Sequence, residues 1–245
     1  MKQTLSTCLV AVACTVALPG PASAQHSQSI QDKSIVTQQA LLPASRQAIL
    51  PIAAFAAIGD LGKLNPALNQ GLDAGLTVND CKEVLVQLYA YAGFPRSLNA
   101  LSELMKVVKD REQRGIKDPA GRTPTALSAG SNILEIGTAN QTKLSGAPVR
   151  GPLFEFAPAI DEYLKTHLFG DIFARDNLDW QSRELATVGA LAAMTSVEPQ
   201  LLAHIRISLN VGLTEPQLRQ VASILTEKVG HDAGARVQDA LQRKP

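Results

Sequence analysis

Residues Ser45–Thr77, SRQAILPIAAFAAIGDLGKLNPALNQGLDAGLT, have an echo at Ser182–Thr214, SRELATVGALAAMTSVEPQLLAHIRISLNVGLT. The two stretches align without a gap at an offset of 137 residues. Carried on to Gly93 and Gly230, the alignment holds 12 identities in 49 positions. An ungapped match of this length points to duplication and divergence, and it constrains the fold strongly: both copies must adopt one local architecture. The copies differ in two polar positions. Glu184 faces Gln47, and His204 faces Ala67.

The architecture of each copy reads as helical. Leu201, Leu202, Ile205 and Leu209 share one helical face, as do Leu218, Val221, Leu225 and Val229. No run alternates apolar and polar residues as a half-buried strand requires. Gly75 and Gly212 stand where helices end. Thr77 and Thr214 follow as N-caps, with Asp80 and Gln217 three residues on. We therefore expect an all-α chain whose tandem helical units pack as one compact oligomerising body. The first unit spans residues 41–115 and the second residues 152–245. Between them, residues 116–151 are rich in Gly, Pro, Ser and Thr and read as a linker with a short helix near Ala126–Gly137.

The N-terminus, MKQTLSTCLVAVACTVALPGPASAQ, has an early Lys, an apolar run and an Ala-Ser-Ala ending. It reads as a signal peptide over residues 1–24, cleaved before Gln25, so the protein is expected in the periplasm or outside the cell. Lipid attachment at Cys14 is a weaker alternative. The run is too short for a membrane span, so no membrane is expected in the mature form. Residues 25–40 are polar and read as a mobile leader. Removing Lys2 takes the formal charge from +1 to 0, which gives no reason to expect a nucleic-acid partner. Of the three cysteines only Cys81 stays, so an exported chain without an intrachain disulfide relies on its core or on assembly.

KTHLFGDIFARDNLDWQSRELATVGALAAM, followed by LLAHIRISLNVGLTE, resembles the carboxymuconolactone decarboxylase family. So does LDAGLTVNDCKEVLVQLYAYAGFPRSLNAL in the first unit. The resemblance covers roughly residues 41–111 and 152–243. It implies a helical fold that assembles through shared helices, and two chemistries. One is lactone decarboxylation. The other is the thiol peroxidase chemistry of alkylhydroperoxide reductase D, which uses a Cys-x-x-Cys-x-x-x-His motif. With His204 as the motif His, the cysteines would stand at Val197 and Gln200, and neither is one. Peroxidase activity is therefore disfavoured, because a sulfenic acid needs a resolving thiol.

What remains is Glu184 with His204. An imidazole has its pKa near working pH and suits proton transfer at carbon, while a carboxylate can orient it. Arg183 or Arg206 is a candidate for holding a substrate carboxylate. Tyr91 and Arg96, beside the Gly93–Pro95 turn, are candidates to complete the pocket, in the same or a neighbouring chain. His26, His167 and His231 are scattered, without metal-ligand spacing, and no phosphate loop occurs, so neither metal nor cofactor is expected. The favoured reading is a carboxy-lyase acting by acid/base decarboxylation or isomerisation of a small lactone or keto acid. The alternative is an exported, non-catalytic small-molecule-binding or assembly protein. Since the family resemblance implies rings of six units, a two-unit chain is expected as a homotrimer, with a dimer as runner-up.

Overall fold

The computed structural model describes residues 41–243. The expected signal peptide with its cleavage site, Cys14 and the expected leader lie outside the described residues. Those described fold into helices, with no strand among them. No described helix is long and apolar enough to cross a membrane.

Two helices run through the centre, α1 (Ala44–Ile58) and α9 (Trp180–Ala193). Both are buried over most of their length, Ile49–Ala57 in α1 and Ser182–Ala192 in α9. A helix surrounded by protein needs no polar face, and the Ala-rich sequence of α1 meets that condition. Small side chains also let the two axes approach. A Cβ on Gly189 would stand 2.8 Å from the Leu50 carbonyl oxygen.

Around this pair stand α2 (Leu61–Asp73), α3 (Val78–Gln87), the short α4 (Tyr89–Ala92) and α5 (Phe94–Gln113) on one side. On the other stand α10 (Glu198–Asn210), α11 (Glu215–Lys228) and α12 (His231–Gln242). Helices α2, α3 and α5 start at residues 61, 78 and 94, and α10, α11 and α12 start at 198, 215 and 231, which is 137 residues later in each case. The caps explain the shared starts. Thr77 and Thr214 each form a capping box, with Asp80 and Gln217 respectively. Gly75 and Gly212 hold φ of 96° and 93°, the left-handed region that ends the preceding helices. A single apolar core runs through both halves, joining Leu50, Leu68 and Leu85 with Leu185, Ile205 and Leu225.

The stretch expected to be a linker is more ordered than its composition implies. Its helix, α6, comes later than expected, at Ile133–Ser145, because Asn132 caps Leu134 and Glu135 and Gly146 ends it. It packs on a π-helical segment, Leu164–Ile172, that follows α7 (Pro152–Phe156) and α8 (Pro158–Tyr163). Glycine allows the contact: a Cβ on Gly137 would overlap the Lys165 carbonyl. Here a second apolar cluster forms from Leu144, Leu168, Phe169, Ile172, Phe173 and Ile207, with Tyr91 and Trp180 against it. Upstream, residues 119–120 accept hydrogen bonds from Val78 and Asn79 at the start of α3. Asp118 makes a two-point ion pair with buried Arg111.

Candidate active site

Glu184 lies in the second turn of α9 and His204 near the middle of α10. The two helices are joined by a short turn through Ser196 and pack antiparallel, which brings the side chains together. The Glu184 Oε2 to His204 Nδ1 distance is 2.8 Å. Glu184 is fully buried and His204 is 7% exposed. With Glu184 ionised, Nδ1–H donates to the carboxylate, which leaves the lone pair on Nε2. No described residue hydrogen-bonds Nε2.

Tyr91, on α4, presents itself edge-on to the imidazole, with ring centroids 5.6 Å apart at 77°. Its hydroxyl is buried and approaches Thr187 outside hydrogen-bonding geometry, while Thr187 donates to the Arg183 carbonyl. Burial, and secondarily the Glu184 charge, push the Tyr91 pKa up. The phenol therefore stays protonated and can only donate or accept as a neutral group. Glu184 Oε1 and Ser208 Oγ are also buried without partners among the described residues, Ser208 being one turn beyond His204. Each unmet buried polar atom costs about 1–3 kcal/mol. Two such atoms lie on the helices that carry the pair and the third, the Tyr91 hydroxyl, lies on α4, so hydrogen-bonding capacity is left unmet around the imidazole.

The position of α9 is set by a buried polar network with α3. Arg183 Nη2 donates to Glu83 Oε2 and to the Arg175 carbonyl, both at 3.0 Å. Arg175 donates to Glu83 at 2.9 and 2.6 Å. Gln87 Nε2 donates to the Arg183 carbonyl and to Thr187 Oγ1, both at 2.8 Å. Burial alone would raise the Glu83 pKa, but hydrogen bonds from Arg175, Arg183 and Asn177 outweigh it and hold the carboxyl down at about 2. Burial acts on Arg183 in the opposite sense to its Glu83 partner and lowers its pKa.

Of the residues expected at the site, the structure joins Glu184, His204 and Tyr91, the last from the same chain. Arg183 has no exposed side-chain surface and is committed to Glu83, so a substrate carboxylate cannot reach it. Arg206 is exposed. Two residues beyond His204 means about 200° around the helix, which points it away from Glu184. Arg96 is committed to the Ala57 carbonyl at the end of α1. His167 bonds Tyr89 and, at 2.7 Å, Asp171, all on a more exposed surface. Glu83, Gln87 and Thr187 were not expected at all. A signal for them was present: Glu83 and Gln87, like Arg183 and Thr187, are four residues apart and so share a helical face, and Gln87 aligns with Ile224 at the 137-residue offset.

Cys81 is free and fully buried. Burial first, then the charges of Asp80 and Asp118, push its thiol up to about 12. A thiolate nucleophile at neutral pH is therefore disfavoured by geometry as well as by the missing second cysteine.

No curated protein matches the chain at a significant level. Residues 158–242 match the family model described as "Carboxymuconolactone decarboxylase family". That span runs from α8 to the end of α12 and contains both Glu184 and His204. Over residues 158–242 the chain is therefore similar to the carboxymuconolactone decarboxylase family.

Proposed function

We propose that the protein is a cofactor-free acid/base enzyme that decarboxylates or isomerises a small lactone acid or keto acid at the Glu184–His204 pair. One observation carries the reading: a buried imidazole is held by a buried carboxylate at 2.8 Å, with no described residue hydrogen-bonded to its second nitrogen. In decarboxylation the C–CO2 bond breaks, CO2 leaves, and its electron pair moves onto the carbonyl oxygen as an enolate. His204, charged by a proton taken up from solvent at Nε2, then delivers that proton to carbon and returns to the neutral form. In isomerisation His204 takes a proton from one carbon and returns it to another. Glu184 fixes the tautomer and stabilises the imidazolium. The neutral Tyr91 hydroxyl donates to the developing enolate oxygen, where a positioned donor in a dry site has its largest effect.

In this reading the two halves are copies of one ancestral unit, and the first has lost its acid/base pair. Coincident helix starts at the 137-residue offset support that history. Three chains would then supply six units, with a dimer as the alternative. An exposed apolar row along α5, with Phe94 at 59%, Leu98 at 58% and Met105 at 69%, supports self-association. The N-terminal sequence supports export.

The test is a screen of the mature protein against unsaturated γ-lactone carboxylates and β-keto acids, following CO2 release and ultraviolet absorbance. Turnover without added metal or thiol is expected. Silence across the panel, or thiol-dependent peroxide reduction instead, overturns the reading; silence with saturable binding would favour a non-catalytic binding protein.

A further inference from the structure

The 137-residue offset maps the site residues onto a second place in the fold. Glu184, His204, Gln87 and Tyr91 correspond to Gln47, Ala67, Ile224 and Lys228. All four of these counterparts line one cavity of about 570 Å³ where α1, α2 and α11 meet. The volume lies within the ~300–1,000 Å³ of small-molecule pockets. The cavity has a direct cause in the sequence. At the Glu184 site an imidazole and a phenol ring fill the space between three helices. In the counterpart the imidazole is replaced by a methyl group and the ring by a flexible, half-exposed lysine. Two rings' worth of volume is left open over an apolar floor that includes Phe55.

We propose that this cavity is a second binding site, specific for a small aromatic or alicyclic monocarboxylate. A flat apolar body replaces the two missing rings against Phe55, Ala67 and Ile224. The carboxylate faces the ammonium groups of Lys63 and Lys228. Lys63 stands 5.6 Å from the Phe55 ring centroid and pairs with Asp60 at 3.6 Å. Lys228 pairs with its sequence neighbour Glu227, itself on the lining, at 2.7 Å. Exposed pairs of this kind are worth about 0–1 kcal/mol, so a carboxylate desolvated in the cavity competes with them. Two ammonium groups against one carboxylate leave room for one negative charge. The carboxamide of Gln47 gives Nε2 to the Leu42 carbonyl, which leaves an uncharged wall where a glutamate, as at position 184, would repel an anion. The loss of the acidic residue in the first copy thus converts a proton-transfer site into an anion site. The proposal rests on the positional correspondence and the cavity, not on turnover at His204.

Isothermal titration of the mature protein with 1-naphthoate, and with uncharged 1-naphthamide beside it, tests this. Saturable binding of one naphthoate per chain is expected, at least tenfold tighter than the amide. Lys228→Glu should weaken naphthoate at least tenfold, and Ala67→Phe should abolish it at unchanged helical content. If Ala67→Phe does not fold, Lys228→Glu alone decides. His204→Ala should bind as wild type does. No saturable binding by the wild type overturns the proposal, as does equal binding by Lys228→Glu. Loss in His204→Ala with retention in Ala67→Phe would place the anion at the Glu184 site instead, and would likewise overturn it.

Discussion

Gly189 on α9 and Leu50 on α1 touch through backbone: the position of a Cβ on Gly189 is 2.8 Å from the Leu50 carbonyl oxygen. The two halves of the chain therefore share a helix pair at a separation that only a missing side chain permits. Gly189→Val should destabilise the fold, because the atom it meets is main chain and cannot rotate away. A loss of about 1–3 kcal/mol is expected from overpacking, outweighing the few tenths of a kcal/mol that replacing glycine by a β-branched residue gains in a helix. Chemical denaturation of the variant checks it; an unchanged midpoint would contradict the packing.

The same interface predicts that neither half is stable alone. Residues 25–115 would expose the buried face of α1, and residues 152–245 that of α9. Separate expression should give aggregating or poorly folded fragments that lack a cooperative melt. Two soluble halves, each with a sharp thermal transition, would show that the core is divisible.

Acid should attack the polar network between α3 and α9. The Glu83 pKa falls from 4.5 to about 2 on folding. A carboxyl depressed in the folded state adds stability that is fully present above its unfolded pKa. That stability is lost as pH falls through the window from 4.5 towards 2. The contribution is on the order of 3 kcal/mol. Glu83→Gln should flatten stability against pH across that window. It should also cost several kcal/mol at neutral pH, since it leaves Arg183 buried without its counter-charge. Denaturant titrations at a series of pH values test both. A wild-type slope retained in Glu83→Gln would assign the acid sensitivity to other groups.

Cys81 should be silent. With its thiol at about 12 and no exposed surface, native protein should not react with a thiol-specific reagent at pH 8. The unfolded chain should react at once. Cys81→Ser should leave turnover within a few-fold of wild type. Rapid labelling of the native state would contradict the burial, and a loss of turnover beyond about tenfold, near 1.4 kcal/mol of transition-state stabilisation, would give the thiol a role.

Much of this arrangement is legible in the residues because its determinants are local. Thr77 and Thr214 declare helix starts through hydrogen bonds three residues away, and Gly75 and Gly212 declare ends through backbone conformation. The Glu184–His204 pair is legible because the stretch aligned with it at the 137-residue offset has Gln47 and Ala67 in its place. Arg183 is different. Beside Ser182 at a helix start it looks like a surface fork for a carboxylate, and only the packing of α3 across α9 makes it a buried counter-ion. Glu83 and Gln87 are lost to a sequence reading for the same reason: polar residues on an amphipathic helix look solvated until a second helix covers them. Arg206 was open to exclusion by counting, since two residues from His204 is the far side of the helix.

Turnover by His204→Ala, set beside the wild type at matched helical content, addresses the central claim most directly. Removing a positioned acid/base group should lower the rate by about 10²- to 10⁴-fold. Glu184→Gln, which copies the residue at position 47, should fall in the same direction by a smaller factor. It keeps a hydrogen-bond acceptor for Nδ1–H but loses the charge that stabilises the imidazolium. A His204→Ala enzyme that turns over as fast as the wild type would contradict the account.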